Sequence, residues 1–286
     1  MIELHDIRYV RVGASDLDAS VRFAQEIVGL ELVGRTPRMA WLRGDNRDHT
    51  LCLTDGGPRQ FSVGFELRTD AALDAAADDL RRRGFEVHQG SEQECADRRV
   101  AAFINFSDPS GNSIDLVVRP HHSGRRYFPS RDAGITEFGH IGLNTTNPKR
   151  DEAFWTEVLN ARVSDRIGDA ALLRIDPVHH KIAMFPTDKP GVQHINFQVA
   201  SIDDVMRSWY FLRSKGVEIA FGPGRHPTST AMFLYFYGPD GIIYEYSYGV
   251  MRIEDESNHV PRQFPFVNSS FCMWGAVPNI KEFNKK

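Results

Sequence analysis

Apolar and polar positions alternate most clearly between Gly224 and Gly249, GRHPTSTAMFLYFYGPDGIIYEYSYG. The FLYFY run, with Tyr235 and Tyr237, reads as a strand, Pro239-Asp240-Gly241 turns the chain, and IIYEYSY alternates back, which predicts a hairpin with Glu245 in mid-strand. Strand interiors disfavour Glu, and a buried carboxylate needs a cation or hydrogen-bond donors. Glu245 therefore either faces water or meets something positive.

The pattern repeats. Residues 137 to 161, EFGHIGLNTTNPKRDEAFWTEVLNA, follow the plan of 6 to 30, DIRYVRVGASDLDASVRFAQEIVGL: an alternating strand, a polar turn, then a helix in which Phe154 corresponds to Phe23 and Val158 to Ile27. Residues 61 to 115 resemble 193 to 245 in the same way, each reading strand, helix, RxxG turn, strand, then a hairpin with DPSG or GPDG at its tip. The chain is therefore predicted to be α+β, built of four β-α-β-β-β modules that begin near residues 5, 60, 137 and 191. Two modules form a domain whose mixed sheet curves into a cup: 1–132 and 133–250, with a tail over 251–286. RPHHSGRRYFPSRDAG, 119 to 134, reads as the linker. In the tail, Phe264, Phe266, Phe271 and Trp274 are too apolar to stand in water together, so they pack on the outside of the fold or form a lid over a pocket.

Composition narrows the function. The 286 residues suit two domains of roughly 130 to 150 residues each. Hydrophobic content of 41%, charged content of 25% and a net charge of -4 describe an ordinary globular protein and argue against nucleic-acid binding. No signal-peptide pattern opens the chain and no apolar run approaches about 18 residues, so neither export nor a membrane span is expected. Cys52, Cys95 and Cys272 are odd in number and outside any CxxC, which suggests reduced thiols and a cytoplasmic location.

Repeat alignment sets three positions side by side. Glu245 matches Asp115, His194 matches Ser62 and His140 matches Tyr9, so one half holds His, His and Glu where the other holds Tyr, Ser and Asp. A lone strand histidine is usually a hydrogen-bonded structural residue, but three at matched positions form a 2-His-1-carboxylate set of the kind that suits non-haem Fe(II). A divalent cation would also supply the partner that a buried Glu245 needs and leave a net charge of about +1 for an anionic chelating ligand.

The chain resembles type I extradiol ring-cleaving dioxygenases of the vicinal oxygen chelate superfamily, similar to 2,3-dihydroxybiphenyl and catechol dioxygenases, over its whole length and most densely from 137 to 249. The GHxxL strand matches His140, QHINFQV matches His194, and the G-x-H, apolar-Tyr, Pro-x-Gly and Glu series reads Gly224-Arg225-His226, Leu234-Tyr235, Pro239-Asp240-Gly241 and Glu245. The resemblance implies His140, His194 and Glu245 as ligands of Fe(II), with Mn(II) as the other metal such a set accepts. It implies His180, in HHKIAMF, as acid-base residue, with His226 and Tyr235 bonding the substrate or the ring-cleavage intermediates; His179 reads as a strand-edge neighbour only. It further implies a catechol and O2 as substrates, a hydroxymuconic semialdehyde-type product in aromatic degradation, and a homo-oligomer.

Two departures stand out. Gly238 replaces a small polar or acidic residue, a change expected to act on the turn, and Thr228-Ser229 replace the Asn-Asp of the biphenyl-type loop, which bears on the substrate. GRHPTS and the FCMWG tail look closer to enzymes for alkyl-substituted or carboxylated catechols. Two other functions fit the residues: a glyoxalase-like lyase, for which two carboxylate ligands would be expected, and a metal-free aromatic-binding module.

Overall fold

A computed structural model describes residues 1–283, so the last three residues of the 251–286 tail lie outside the described residues. The N-terminal half contributes eight strands: β1 Asp6–Ala14, β2 Glu31–Arg35, β3 Met39–Arg43, β4 Leu51–Asp55, β5 Phe61–Glu66, β6 His88–Gln89, β7 Val100–Ser107 and β8 Ser113–Pro120. The C-terminal half adds β9 Ile135–Thr145, β10 Arg162–Ile167, β11 Ala170–Arg174, β12 Ile182–Pro186, β13 Val192–Val199, β14 Ile219–Arg225, β15 Met232–Tyr237 and β16 Ile243–Tyr248, and the tail adds β17 Arg262–Phe264. The helices are α1 Leu17–Phe23, α2 Asp70–Arg82, α3 Glu92–Arg98, α4 Pro148–Ala153, α5 Ile202–Ser214 and α6 Asn268–Phe271.

Each quarter reads β-α-β-β-β, with α3 inserted in the second, and the strands order as β2-β3-β4-β1-β5-β8-β7-β6 and β14-β15-β16-β13-β9-β12-β11-β10-β17. Both sheets are mixed, because each module closes with a strand parallel to its first: β1 with β4, β5 with β8, β9 with β12, β13 with β16. Helix starts follow from side-chain caps. Thr69 accepts from the Ala72 amide at α2, Ser201 from the Asp204 amide at α5, and Ser91 with Glu94 forms a reciprocal capping box at α3. The two predicted first-module helices run as short α-helices that widen into π-helical turns, Ala24–Val28 and Phe154–Val158.

Register makes the internal repeat concrete. Tyr9 pairs with Gly64, Gly64 with Asp115 and Asp115 with Asn105; His140 pairs with Asn196, Asn196 with Glu245 and Glu245 with Tyr235. The halves are not independent bodies, since one apolar core runs through both and places the ring of Phe65 5.5 Å from Trp155 and that of Phe85 5.1 Å from Phe154. The 119–134 segment is tied down along its length. Arg43 donates to the carbonyls of Arg125 and Arg126 at 2.9 and 2.8 Å, and Arg131 bonds the Ile27 carbonyl at 2.8 Å and the Tyr246 hydroxyl at 3.0 Å. The Arg, Pro and Gly content reads as a linker, but these charge-assisted bonds make it a strap between the two halves.

The tail divides. Phe271, Ile280 and Phe283 are buried against β14 and β15, whereas Trp274 stays 53% exposed. The expectation that the tail aromatics would pack as a group fails at Trp274, which sits beyond the turn that carries Phe271 inward.

Candidate metal centre

Three neighbouring strands bring the site together. His140 on β9, His194 on β13 and Glu245 on β16 are all buried, and one donor atom from each lies within 4.8 Å of the others. The two Nε2 atoms are 2.8 Å apart, and Glu245 Oε2 is 3.1 Å from that of His140 and 3.4 Å from that of His194. Donors roughly 2.1 Å from a common ion stand about 3.0 Å apart at right angles, so the three separations suit one face of a coordination sphere. Glu245 Oε2 has no hydrogen-bond partner among the described residues although it is buried. An orphaned buried carboxylate oxygen facing two imidazoles is what a cation would satisfy.

The His194 imidazole is held as an acceptor. His194 Nδ1 contacts the side-chain oxygen of Gln193, so the ring donates there and leaves the Nε2 lone pair for the centre. Burial lowers the His194 pKa to about 3, with the charges of His140 and His226 adding to it and that of Glu245 opposing. Burial pushes Glu245 upward, but His140, then His226 and His194, draw it well below the ordinary carboxylate range. At neutral pH the His194 imidazole is neutral and Glu245 is a carboxylate. Gly142, opposite His194 in the register, leaves the ring its place: a Cβ there would sit 2.3 Å from Nδ1.

A second group surrounds the first. The His180 ring lies 4.2 Å from that of His140, and burial first, then neighbouring imidazoles, lower its pKa well below the ordinary histidine value. His179, expected to be a strand-edge bystander, is instead fully buried, 3.0 Å from His180 Nδ1 and 2.9 Å from Asp165 Oδ2. Arg262 of the tail grips that carboxylate, from Nη2 at 2.6 Å and from its own amide at 2.9 Å. Sequence reasoning missed this Arg262-Asp165-His179-His180 chain because its members come from β17, β10 and the loop before β12. The HH dipeptide was the one available signal.

On the opposite side, His226 Nε2 is 3.2 Å from the Tyr235 hydroxyl and 3.8 Å from Glu245 Oε1, and His226 Nδ1 is 2.7 Å from the Phe271 carbonyl. Burial and Glu245 raise the Tyr235 pKa well above its ordinary value, so its hydroxyl keeps its proton. His180, His226, Tyr235, Ser229, Phe271 and Phe283 line a remaining space of about 30 Å³. A cavity of roughly 150 Å³ takes a benzene ring, so an aromatic ligand requires side chains here to move. Buried Ser229 Oγ has no hydrogen-bond partner among the described residues. Gly238 acts on packing as well as the turn, since a Cβ would come within 2.6 Å of Tyr244.

In the N-terminal half the matched positions hold no such set. Asp115 Oδ2 accepts from the Tyr9 and Ser62 hydroxyls at 2.9 and 2.8 Å and from Arg98 Nε at 2.8 Å. A guanidinium from α3 stands there as the cation.

A family model described as Glyoxalase/Bleomycin resistance protein/Dioxygenase superfamily matches residues 6–116 and 137–246, most of the chain and once in each half. The chain belongs to this superfamily. Among superfamily relatives, an "Iron-dependent extradiol dioxygenase" of Rhodococcus jostii (strain RHA1) is 28% identical, the match covering 96% of this chain and 97% of the relative. The solved structure of a halotolerant catechol dioxygenase shares the fold with a TM-score of 0.85 at 22% identity, over 99% of this chain and 96% of the other. A Mn(II)-bound glyoxalase from Novosphingobium aromaticivorans aligns with a TM-score of 0.87 at 25% identity, over 100% and 96% of the two chains. Superfamily membership accounts for the two mixed sheets, one in each half. No helix among the described residues is long and apolar enough to cross a membrane.

Proposed function

We propose that this protein is an extradiol dioxygenase, opening a substituted catechol with O2 to a hydroxymuconic semialdehyde-type product in aromatic degradation. The observation that carries the reading is the convergence of His140, His194 and the unsatisfied Glu245 Oε2 beside three further polar groups, His180, His226 and Tyr235. The same name on a relative matched over nearly its full length supports it. The metal is Fe(II), in keeping with a two-imidazole, one-carboxylate set that leaves positions open, and Mn(II) is the competing ion. Residues 133–250 carry the catalytic domain in this reading, and 1–132 the domain whose metal site is degenerate.

The bound ion would supply Lewis acidity toward the diol and electronic contact between the ring and O2. The protein's own groups do the rest. His180, a neutral imidazole held through His179 by Asp165, takes and returns a proton at the reacting edge. Tyr235 donates its hydroxyl hydrogen and His226, anchored on the Phe271 carbonyl, orients the diol. Phe271 and Phe283 exclude water, and the unpartnered Ser229 hydroxyl meets a polar ring substituent.

The test is oxygen uptake with simultaneous visible absorbance on anaerobically Fe(II)-loaded protein across catechol, 3-methylcatechol, 4-alkylcatechols, dihydroxybiphenyl and dihydroxybenzoates. Uptake matched by a yellow, pH-sensitive product is expected. Absence of uptake with iron bound would overturn the reading. A glyoxalase-type activity is the second reading, supported by the Mn(II)-bound glyoxalase neighbour. Turnover of a glutathione–2-oxoaldehyde adduct with Mn(II) and no oxygen consumption would select it.

A further inference from the structure

The cup of the N-terminal half holds a cleft of about 800 Å³. Its floor has its charges partly settled: Asp115 is fully buried, and besides the Tyr9, Ser62 and Arg98 donors on Oδ2 its Oδ1 accepts from Asn105 at 2.8 Å. One carboxylate there answers one guanidinium. A second guanidinium has no such answer.

Arg11 pairs across the sheet with Ser62, the place that Gly142 takes opposite His194 in the other half. An arginine thus occupies the room that a glycine leaves for the imidazole. Its Nε is buried without a hydrogen-bond partner, its Nη2 lies 3.9 Å from Met39 Sδ, and no ion pair joins it to a carboxylate among the described residues. A partly buried cation in this position is stabilised by a counter-ion, and its planar fork matches a carboxylate. Met39 and Phe61 line the cleft beside it and suit an apolar body. The walls carry Arg38, Arg98 and His88 as well as Asp55, Glu94 and Asp97, so the fit to a single carboxylate rests on the Arg11 fork and its apolar neighbours rather than on the net charge of the cleft.

We propose that this cleft binds a small organic monocarboxylate, its anionic group on the Arg11 guanidinium and its apolar body against Met39 and Phe61. The site is separate from the metal centre and does not depend on the reaction proposed there.

Isothermal titration of the full-length, metal-loaded protein with benzoate, benzyl alcohol and inorganic phosphate tests it. Benzoate binds saturably, and the alcohol and phosphate at least about tenfold more weakly. Arg11→Gln weakens benzoate by about tenfold or more. Met39→Glu, which keeps Arg11 and offers it an internal carboxylate, weakens benzoate comparably while the protein stays folded by thermal melting. His194→Ala leaves benzoate binding unchanged. The proposal is overturned by absence of saturable binding, by equal binding of phosphate, by full affinity in Met39→Glu, or by loss of binding in His194→Ala, which would place benzoate on the metal.

Discussion

His194 and Glu245 are held in the charge states a cation needs, and that has consequences in the empty protein. The lowered pKa of His194, about 3 against an ordinary 6.5, means that between those values the unfolded chain takes up a proton that the folded chain refuses. His179 and His180 are lowered too, by burial first. Stability is therefore fully present above pH 6.5 and falls as pH drops below it, by about 1.4 kcal/mol per unit for each such imidazole in the window. Denaturant melts of metal-free protein from pH 7.5 to 4 should show that slope, and a His194→Gln variant should flatten it; identical slopes would contradict the assignment. With metal, Glu245→Gln or His194→Ala should retain less than about a tenth of the iron measured after gel filtration. By contrast, His180→Phe should keep its iron and lose about 10² to 10⁴ in kcat, the range of a general acid-base group.

At the scale of elements, the site depends on register more than on any one side chain. A slip of one residue on β13 would turn His194 to the other face of the sheet, and Gly142 on β9 is what lets the correct register close. Gly142→Ala should thus cut metal affinity with little change in fold by circular dichroism, whereas unchanged iron content would mean that the ring has other room. The tail belongs to this scale as well. Phe283 lies 4.7 Å from the Phe185 ring and 5.0 Å from Phe271, closing the wall of the site. Phe283→Ala should cost about 3 to 5 kcal/mol of stability if the space stays empty, and it should raise kcat/KM for the bulkier catechols relative to catechol itself. An unaltered substrate ranking would reduce the tail to packing. The convergence of His140, His194 and Glu245 was legible because duplicated strands put unequal chemistry at equal positions, His140 where the other half has Tyr9 and Glu245 where it has Asp115. The supports were not. Asp165 and Arg262 are separated by 97 residues and meet only because β17 adds to the edge of β10. No local pattern announces such a contact.

For the whole molecule, four similar modules were visible as recurring strand-helix patterns, since each period is set by local geometry. The joint core was not, because an apolar residue carries no address: nothing local tells that Trp155 of one half and Phe65 of the other face each other. The strap and this shared core predict that residues 133–286 expressed alone will aggregate or show a broad, uncooperative melt; a sharp transition with full iron binding would contradict the coupling. The Arg98–Asp115 pair bears on this whole. Because that cup carries its own fixed cation, half of the molecule does not wait on metal supply to take its shape. An enzyme whose ion is oxidised or stripped during work then keeps an ordered template for its other half. Recovery would then be a matter of recharging a standing scaffold.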